Sequence, residues 1–411
     1  MEPEQIARGP NYLLEWKIAN SCSEWVIKTL VLASAAAMAP VNASPTWDTG
    51  KVAYLLPTPS KNRILLKVSF SDCAKVVLLM NRQTILLDRA SIESLLDLGE
   101  CITAVEEAFR AHGEGRVGKP GLLHAEAPKG EFHVKAGVME HHGRSLFTIK
   151  INGGFFGNRV NYNMPNIQGL VLLCDAENGY PLALMDSKAI TMKRTGAATA
   201  VAAKYLARPE SDVLTICGCG IQAEIQLEAL LKVFQFKKVY AYSRSAASME
   251  RFASECERRW GVEAEAAPNL EAALAESDIC VTCTPAKSAF LQAEWVRPGT
   301  FVAAVGADSP DKQELDSRLL KGNKVVADIL EQCLHVGEIH HGVEAGLLTA
   351  ADVHAELGQL IAGQRVGRSD ANEITIFDST GTAIQDLAAA ILVYNKVSGE
   401  AGAPGFDFFA S

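Results

Sequence analysis

From residue 76 onward, short apolar runs alternate with helical patterns. Residues 76–79 read as a strand, and 91–96 and 99–109 as helices, the second ended by His112-Gly-Glu-Gly115. Residues 132–136, 146–151, 169–174 and 183–186 read as strands, punctuated by Gly153-Gly154, Met164-Pro165 and Asn178-Gly179. An alanine-rich helix over 194–206 leads into the apolar run 213–217, a glycine turn and an amphipathic helix. Strand patterns follow at 238–242, 278–283, 301–305 and 324–328, with helices at 248–260 and 269–275 between them. This alternation predicts a parallel, doubly wound sheet. Past Asp328 the chain turns helical, and Phe377-Asp-Ser-Thr-Gly381 reads as a turn opening a last helix over 383–396. The parallel sheet is thus inserted between an N-terminal sheet region and a C-terminal return. The expected domains are an extension of uncertain order (1–74), a first substrate part (75–200), the nucleotide domain (201–330) and a helical return (331–411).

The glycine turn carries the first chemistry. Gly218, Gly220 and Ala223 occupy the three small positions of G-x-G-x-x-G/A between a strand and a helix. The first glycine makes the turn, the second lets backbone approach a pyrophosphate, and the third small residue lets helix and strand pack closely. Ile221 and Gln222 open the helix, whose unpaired N–H groups suit an anion. The same spacing also occurs in plain turns. The strand over 238–242 ends at Ser243-Arg244-Ser245, where an acid would bind the ribose 2′-hydroxyl of NAD. No acid stands there, so NADP(H) is favoured over NAD(H); otherwise Arg244 is a solvated loop residue.

Composition narrows the field. The chain has 411 residues, 48% of them hydrophobic, too many for one compact core. Its 39 basic and 48 acidic residues give a formal charge of −9, which argues against non-specific binding to nucleic acid or anionic membranes. The ten cysteines are scattered without zinc spacing, so no metal is expected, and a reducing cytoplasm suits buried thiols. The apolar run 26–39 is too short to span a bilayer. It reads as part of an accessory extension, with export and cleavage after Ala43 the lesser reading, and Met80 is an alternative start.

Three further residues invite chemistry, each with a plain alternative. Lys150 ends an apolar strand beside Asn152-Gly-Gly154, where it can approach a carboxylate or be a solvated strand end. Arg194 stands at the start of the helix over 194–206, adding its charge to the positive end of the dipole, or is a surface residue. Asp308 follows a strand of the parallel sheet, outside whose carboxyl ends ligands lie, or forms a turn before Pro310.

Together, Ile149-Lys-Ile-Asn-Gly-Gly-Phe-Phe156, Arg194-Thr-Gly-Ala-Ala-Thr199, the Gly218–Ala223 turn, Gly306-Ala-Asp-Ser-Pro-Asp-Lys-Gln-Glu-Leu315, Glu356-Leu-Gly358 and Phe377-Asp-Ser-Thr-Gly381 resemble the ornithine cyclodeaminase/mu-crystallin family. The resemblance runs from about residue 76 to the last helix. It implies an α/β chain with a Rossmann dinucleotide-binding domain inserted in an α+β substrate and dimerisation domain. It further implies a homodimer, an NAD(P) cofactor and a small amino- or imino-acid substrate. Lys150 and Arg194 would hold the substrate carboxylate, Asp308 would act as acid/base at the amine, and Thr284, Pro285 and Ser379-Thr380-Gly381 would border the nicotinamide. Cyclodeamination, oxidative deamination and ketimine reduction all follow from hydride transfer at the α-carbon. A crystallin-like NADP(H) binder without turnover is the alternative of another class. Family members often carry a basic contact near Lys119-Pro-Gly-Leu122, and ornithine cyclodeaminases an acid near Lys135, where this lysine would repel a distal ammonium.

Overall fold

The computed structural model describes residues 83–398 and 404–408, together with the strand backbones of 12–13, 51–57 and 63–69. The expected strand at 76–79, the run 26–39 and Met80 lie outside the described residues. The chain separates into two compact units. One, of residues 1–83 and 407–411, holds a small sheet of β1 (Tyr12–Leu13), β2 (Lys51–Pro57) and β3 (Arg63–Ser69) in the order β1-β3-β2.

The other unit, residues 84–406, carries two large sheets. Its strands begin with β4 (Thr84–Leu87), β5 (Gly121–Ala127), β6 (Gly130–His141), β7 (Arg144–Gly154), β8 (Ile167–Asp175) and β9 (Pro181–Asp186). There follow β10 (Val213–Cys217), β11 (Lys238–Tyr242), β12 (Glu263–Ala266), β13 (Ile279–Thr282), β14 (Lys287–Leu291), β15 (Phe301–Ala304), β16 (Gln313–Leu315) and β17 (Lys324–Ala327). The last are β18 (Ala355–Glu356), β19 (Thr375–Asp378) and β20 (Gly405–Phe406). The mostly antiparallel sheet runs β20-β4-β9-β8-β7-β6-β5, and the all-parallel sheet runs β12-β11-β10-β13-β15-β19-β17-β18. This is a Rossmann-like sheet paired with an antiparallel substrate sheet.

Two differences from the sequence reading bear on the site. The 331–411 stretch was expected to be helical, yet β18 and β19 enter the parallel sheet and β20 edges the other. Residues 375–378 are all buried, and β19 pairs with β15 on one side and β17 on the other. The Ser-Thr-Gly turn after it masks so short a strand. The second difference concerns Arg194. Its helix begins at Ser187, capped by Asp186, whose carboxylate accepts from Lys188 N. Arg194 therefore lies about two turns inside the helix and gains nothing from the dipole at its start. Alanines bury this helix deeply, and Gly196 lets the Ile221–Leu230 helix approach: a Cβ there would lie 2.6 Å from Ile225 Cγ2.

In the antiparallel sheet, side chains alternate faces. Lys135 and Lys150 stand opposite each other on one face, covered by the Ala383–Val397 helix, which packs on β6 and β7. On the other face the cross-strand partners Leu123, Val134, Ile151 and Leu170 form an apolar row. Leu123, Ile151 and Leu170 are exposed there. Among the described residues no helix is long and apolar enough to cross a membrane.

Candidate active site

The central strands of the parallel sheet end in register: Tyr242, Cys217, Thr282, Ala304, Asp378 and Ala327 are successive neighbours. Every segment singled out in the Rossmann part leaves from this edge. It is where ligands bind in such folds. Gly218 has φ +106°, and a Cβ there would lie 2.9 Å from Cys283 O and from Thr284 Cγ2. Gly220 is different, because a Cβ on it would meet nothing within 4 Å. That open space lies at the N-terminus of the Ile221–Leu230 helix. Ala223 is fully buried against the core. The buried side-chain oxygens that lack partners include Gln222 Oε1 beside the turn and Ser379 Oγ at the end of β19. A close turn, an open glycine, free N–H groups and unpaired oxygens fit a dinucleotide.

Buried carboxylates fix the loops around that edge. Glu314 accepts from Thr282 Oγ1 at 2.7 Å, Thr284 N at 2.6 Å and Gly306 N at 2.8 Å. It ties the ends of β13 and β15 together. Asp328, after β17, accepts from Thr380 Oγ1 at 2.9 Å and Gly381 N at 2.8 Å. Burial raises both carboxyl groups against the hydrogen bonds that favour their ionised forms.

The loop held by Asp328 meets the substrate sheet. Lys135 Nζ donates to Thr380 O at 2.9 Å and Gly381 O at 2.6 Å. Lys150 Nζ donates to Asp386 Oδ1 at 2.8 Å. Arg194 donates through Nε to Asp386 Oδ1 at 2.9 Å and through Nη1 to Gln385 Oε1 at 2.6 Å. Gly381 must be glycine here, since a Cβ would lie 2.6 Å from Arg194 Nη1. Two buried cations, Lys150 and Arg194, thus share one carboxylate, Asp386, while the third, Lys135, donates to backbone carbonyls, and this concentration of positive charge suits an anion. Burial and the charge of Arg194 pull Lys150 down to about 7, with Asp386 opposing. Burial and Arg194 also lower Lys135, while Asp308 opposes.

Asp308 lies beyond β15, with its side chain 51% exposed and Oδ1 2.5 Å from Lys312 Nζ. Desolvation works against its charged form. The charges of Lys312, Lys135 and His133 outweigh it and hold the carboxyl at about 2. The substrate sheet and the parallel sheet therefore meet electrostatically between Lys135 and Asp308.

Lys150, Arg194, Ser379, Thr380 and Gly381 come together, and the charges of Asp308 and Lys135 act on each other. Thr284 is half-buried at the glycine turn, and Pro285 and Ile221 are exposed beside it. Ser243 is half-buried, while Arg244 is exposed. Lys119 is not part of the cluster: it is exposed and paired with Glu331 at 2.7 Å. Asp386, Gln385 and Lys312 escaped the sequence reading, which had marked Lys135 only as a charge that would repel a distal ammonium. Only the helix-start position of Gln385 and Asp386 after Ser-Thr-Gly hinted at them. The eight described cysteines are free thiols.

The family model for the ornithine cyclodeaminase/mu-crystallin family matches residues 82–401. The chain belongs to this family. An alanine dehydrogenase of Archaeoglobus fulgidus is 43% identical over 314 residues, 76% of this chain and 95% of that protein. Two solved structures of family type are also similar. An archaeal alanine dehydrogenase dimer with bound NAD gives a TM-score of 0.75 at 42% identity, covering 80% of this chain and 100% of that one. The Δ1-pyrroline-2-carboxylate reductase of Thermococcus litoralis, in complex with NADH and L-proline, gives 0.72 at 32% identity, covering 76% and 97%. These structures overturn the expected preference for NADP(H), because both hold NAD or NADH. The physical reason is that Arg244 is an exposed tip residue; a missing acid alone does not build a 2′-phosphate site. At the level the family sets, the chain is an NAD(P)-dependent enzyme of amino or imino acids.

Proposed function

We propose that the chain is an NAD(H)-dependent dehydrogenase of a small α-amino acid, of the alanine dehydrogenase type, working as a homodimer. The observation that carries this reading is the buried cluster of Lys135, Lys150 and Arg194 around Asp386. It offers positive charge to a substrate carboxylate, and the carboxylate inside it, Asp386, is already paired with Lys150 and Arg194. The resemblance implies an acid near Lys135 in ornithine cyclodeaminases, and Lys135 would repel a distal ammonium, so a short, uncharged side chain fits better than ornithine. The similarity to alanine dehydrogenases over most of the chain agrees.

Arg194 and Lys150 would clamp the carboxylate and fix the α-carbon. Asp308 would exchange a proton with the amine, which must be neutral for the imine to form. Gly218, Gly220, Gln222 and Ala223 would receive the pyrophosphate, with Ser243 toward the ribose and Thr284, Pro285 and Ser379 beside the nicotinamide. Bound NAD(H) supplies the hydride acceptor or donor. Water then adds to the imine carbon, ammonia leaves, and the keto acid remains. The apolar row Leu123, Val134, Ile151 and Leu170 supports a second copy of the chain on the outer face of the sheet.

The test is purified protein with NADH, assayed against pyruvate plus ammonia, Δ1-pyrroline-2-carboxylate and ornithine. Pyruvate should be aminated, alanine oxidised in reverse, and ornithine should release no ammonia. Turnover of the cyclic imine alone, or proline from ornithine, would overturn the reading. So would NADH fluorescence that saturates without oxidation of any substrate.

A further inference from the structure

We propose that His124, Glu131 and His133 form a binding site for a zinc-class divalent cation on the strand pair β5–β6. Nothing in the activity proposed above uses these side chains, and the inference does not depend on that activity. His124 and His133 are direct cross-strand partners, so the ladder itself fixes their separation. Their rings stack with centroids 4.7 Å apart and planes 9° from parallel. Glu131 reaches between them, with Oε2 3.1 Å from His124 Nε2 and Oε1 3.1 Å from His133 Nε2.

One carboxylate therefore already gathers two imidazole nitrogens. The three ligand atoms lie within 4.8 Å of one another. Zinc bonds of about 2.0–2.2 Å in tetrahedral geometry put neighbouring ligand atoms about 3.4 Å apart. An ion entering the cluster replaces the two His–Glu hydrogen bonds, and ligand atoms now within 4.8 Å of one another close in on it. Two imidazoles and one carboxylate are a zinc-type donor set, and they leave a fourth position open.

The other described clusters are built less well. Among the described residues, Glu107 with His141 and His142, and Glu344 with His340 and His341, are the remaining groups of this kind. Each takes its two histidines from adjacent positions, with rings 64° and 54° from parallel. Glu344 stands 3.5 Å from His340 and 4.0 Å from His341. These two groups serve as internal controls.

The place of the site is informative too. Glu131, His133 and Lys135 follow one another on the same face of β6. The charge of His133 acts on Asp308, and that of Glu131 acts on Lys312. A cation held here sits at the outer end of the row that begins with Lys135, beside the Asp308–Lys312 pair.

The test uses tag-free, full-length protein stripped with chelator. Co2+ is titrated and read by its visible absorption, and Zn2+ is titrated in competition with a chromophoric chelator. One equivalent per chain is expected, with the intense bands of tetrahedral Co2+, displaced by Zn2+. H124Q and H133Q should each weaken Zn2+ binding by at least the roughly 10–100-fold that loss of a supporting contact brings. H141Q and H340Q should leave it unchanged, and circular dichroism of every variant checks its fold. Absence of a stoichiometric equivalent, or binding that survives H124Q and H133Q, overturns the site. Loss of binding in H141Q or H340Q instead places the ion elsewhere and overturns it equally.

Discussion

Lys150 and Asp386 form a buried ion pair, Nζ lying 2.8 Å from Oδ1 and 2.7 Å from Oδ2, with side chains 3% and 0% exposed. The pair joins a strand of the substrate sheet to the last long helix. It also works against the loss of the proton from the lysine proposed to hold the substrate. Burial first, then Arg194, depress Lys150 to about 7, below the value of about 10.4 for a free lysine.

The sign of the pH effect follows. From about pH 7 to 10.4 the unfolded chain keeps a proton that the folded chain has lost, so this group adds stability as pH rises and its burial penalty is complete below 7. Carboxylate binding runs the other way, since it needs the ammonium. The inhibition constant of a saturated short-chain carboxylate should weaken above about pH 7. In Lys150→Arg that weakening should leave the neutral range, because guanidinium stays charged. An unchanged profile in this variant would assign the group elsewhere.

Asp308→Asn should lower turnover by about 10²–10⁴-fold, the usual contribution of a positioned acid or base. NADH affinity, measured by fluorescence titration, should hold. Lys312→Met should raise the Asp308 carboxyl from about 2, since Lys312 is the main charge holding it down. The acid limb of kcat/KM should then move to higher pH. A limb that stays in place separates Lys312 from the reacting group.

Arg194→Lys keeps the charge but loses the fork that reaches both Asp386 and Gln385. KM for the amino acid should rise and kcat should fall, because hydride transfer tolerates little misplacement of the α-carbon. Steady-state kinetics beside NADH titration decide this. A loss confined to NADH binding would move Arg194 to the cofactor.

The two turn glycines should fail differently. Gly220→Ala places a methyl in open space, so the melting curve should hardly move while NADH affinity drops. Gly218→Ala forces an ordinary residue to φ +106°, with its methyl 2.9 Å from Cys283 O, and should destabilise the fold by about 1–3 kcal/mol. Equal loss of stability in both would remove the special role given to Gly220.

What the sequence shows and hides divides along physical lines. The glycine turn was legible because an apolar strand precedes the spaced small residues and a helical pattern follows them. The strands β10, β11, β13, β15 and β17 were legible because buried runs are continuously apolar, whereas β12, β18 and β19 were not read as strands. Lys135 was hidden because a lysine in an alternating strand does not say which face is buried; register decides that. Asp386 was hidden because its partners lie far away in sequence. β5 was missed because almost all of it is exposed and its pattern does not alternate cleanly. The NADP(H) expectation failed because a missing acid was treated as a positive signal.

The insertion of β19 between β15 and β17 has a consequence for biosynthesis. During translation, β10 to β17 emerge from the ribosome well before residues 375–378 do. Until then β15 and β17 have no neighbour between them, and each exposes an unpaired strand edge. The nascent nucleotide-binding half is therefore unfinished for as long as it takes to synthesise the segment from 328 to 378. A ribosome stalled in that interval presents open edges to chaperones and to other chains, whereas one stalled just past it releases a sheet that can close.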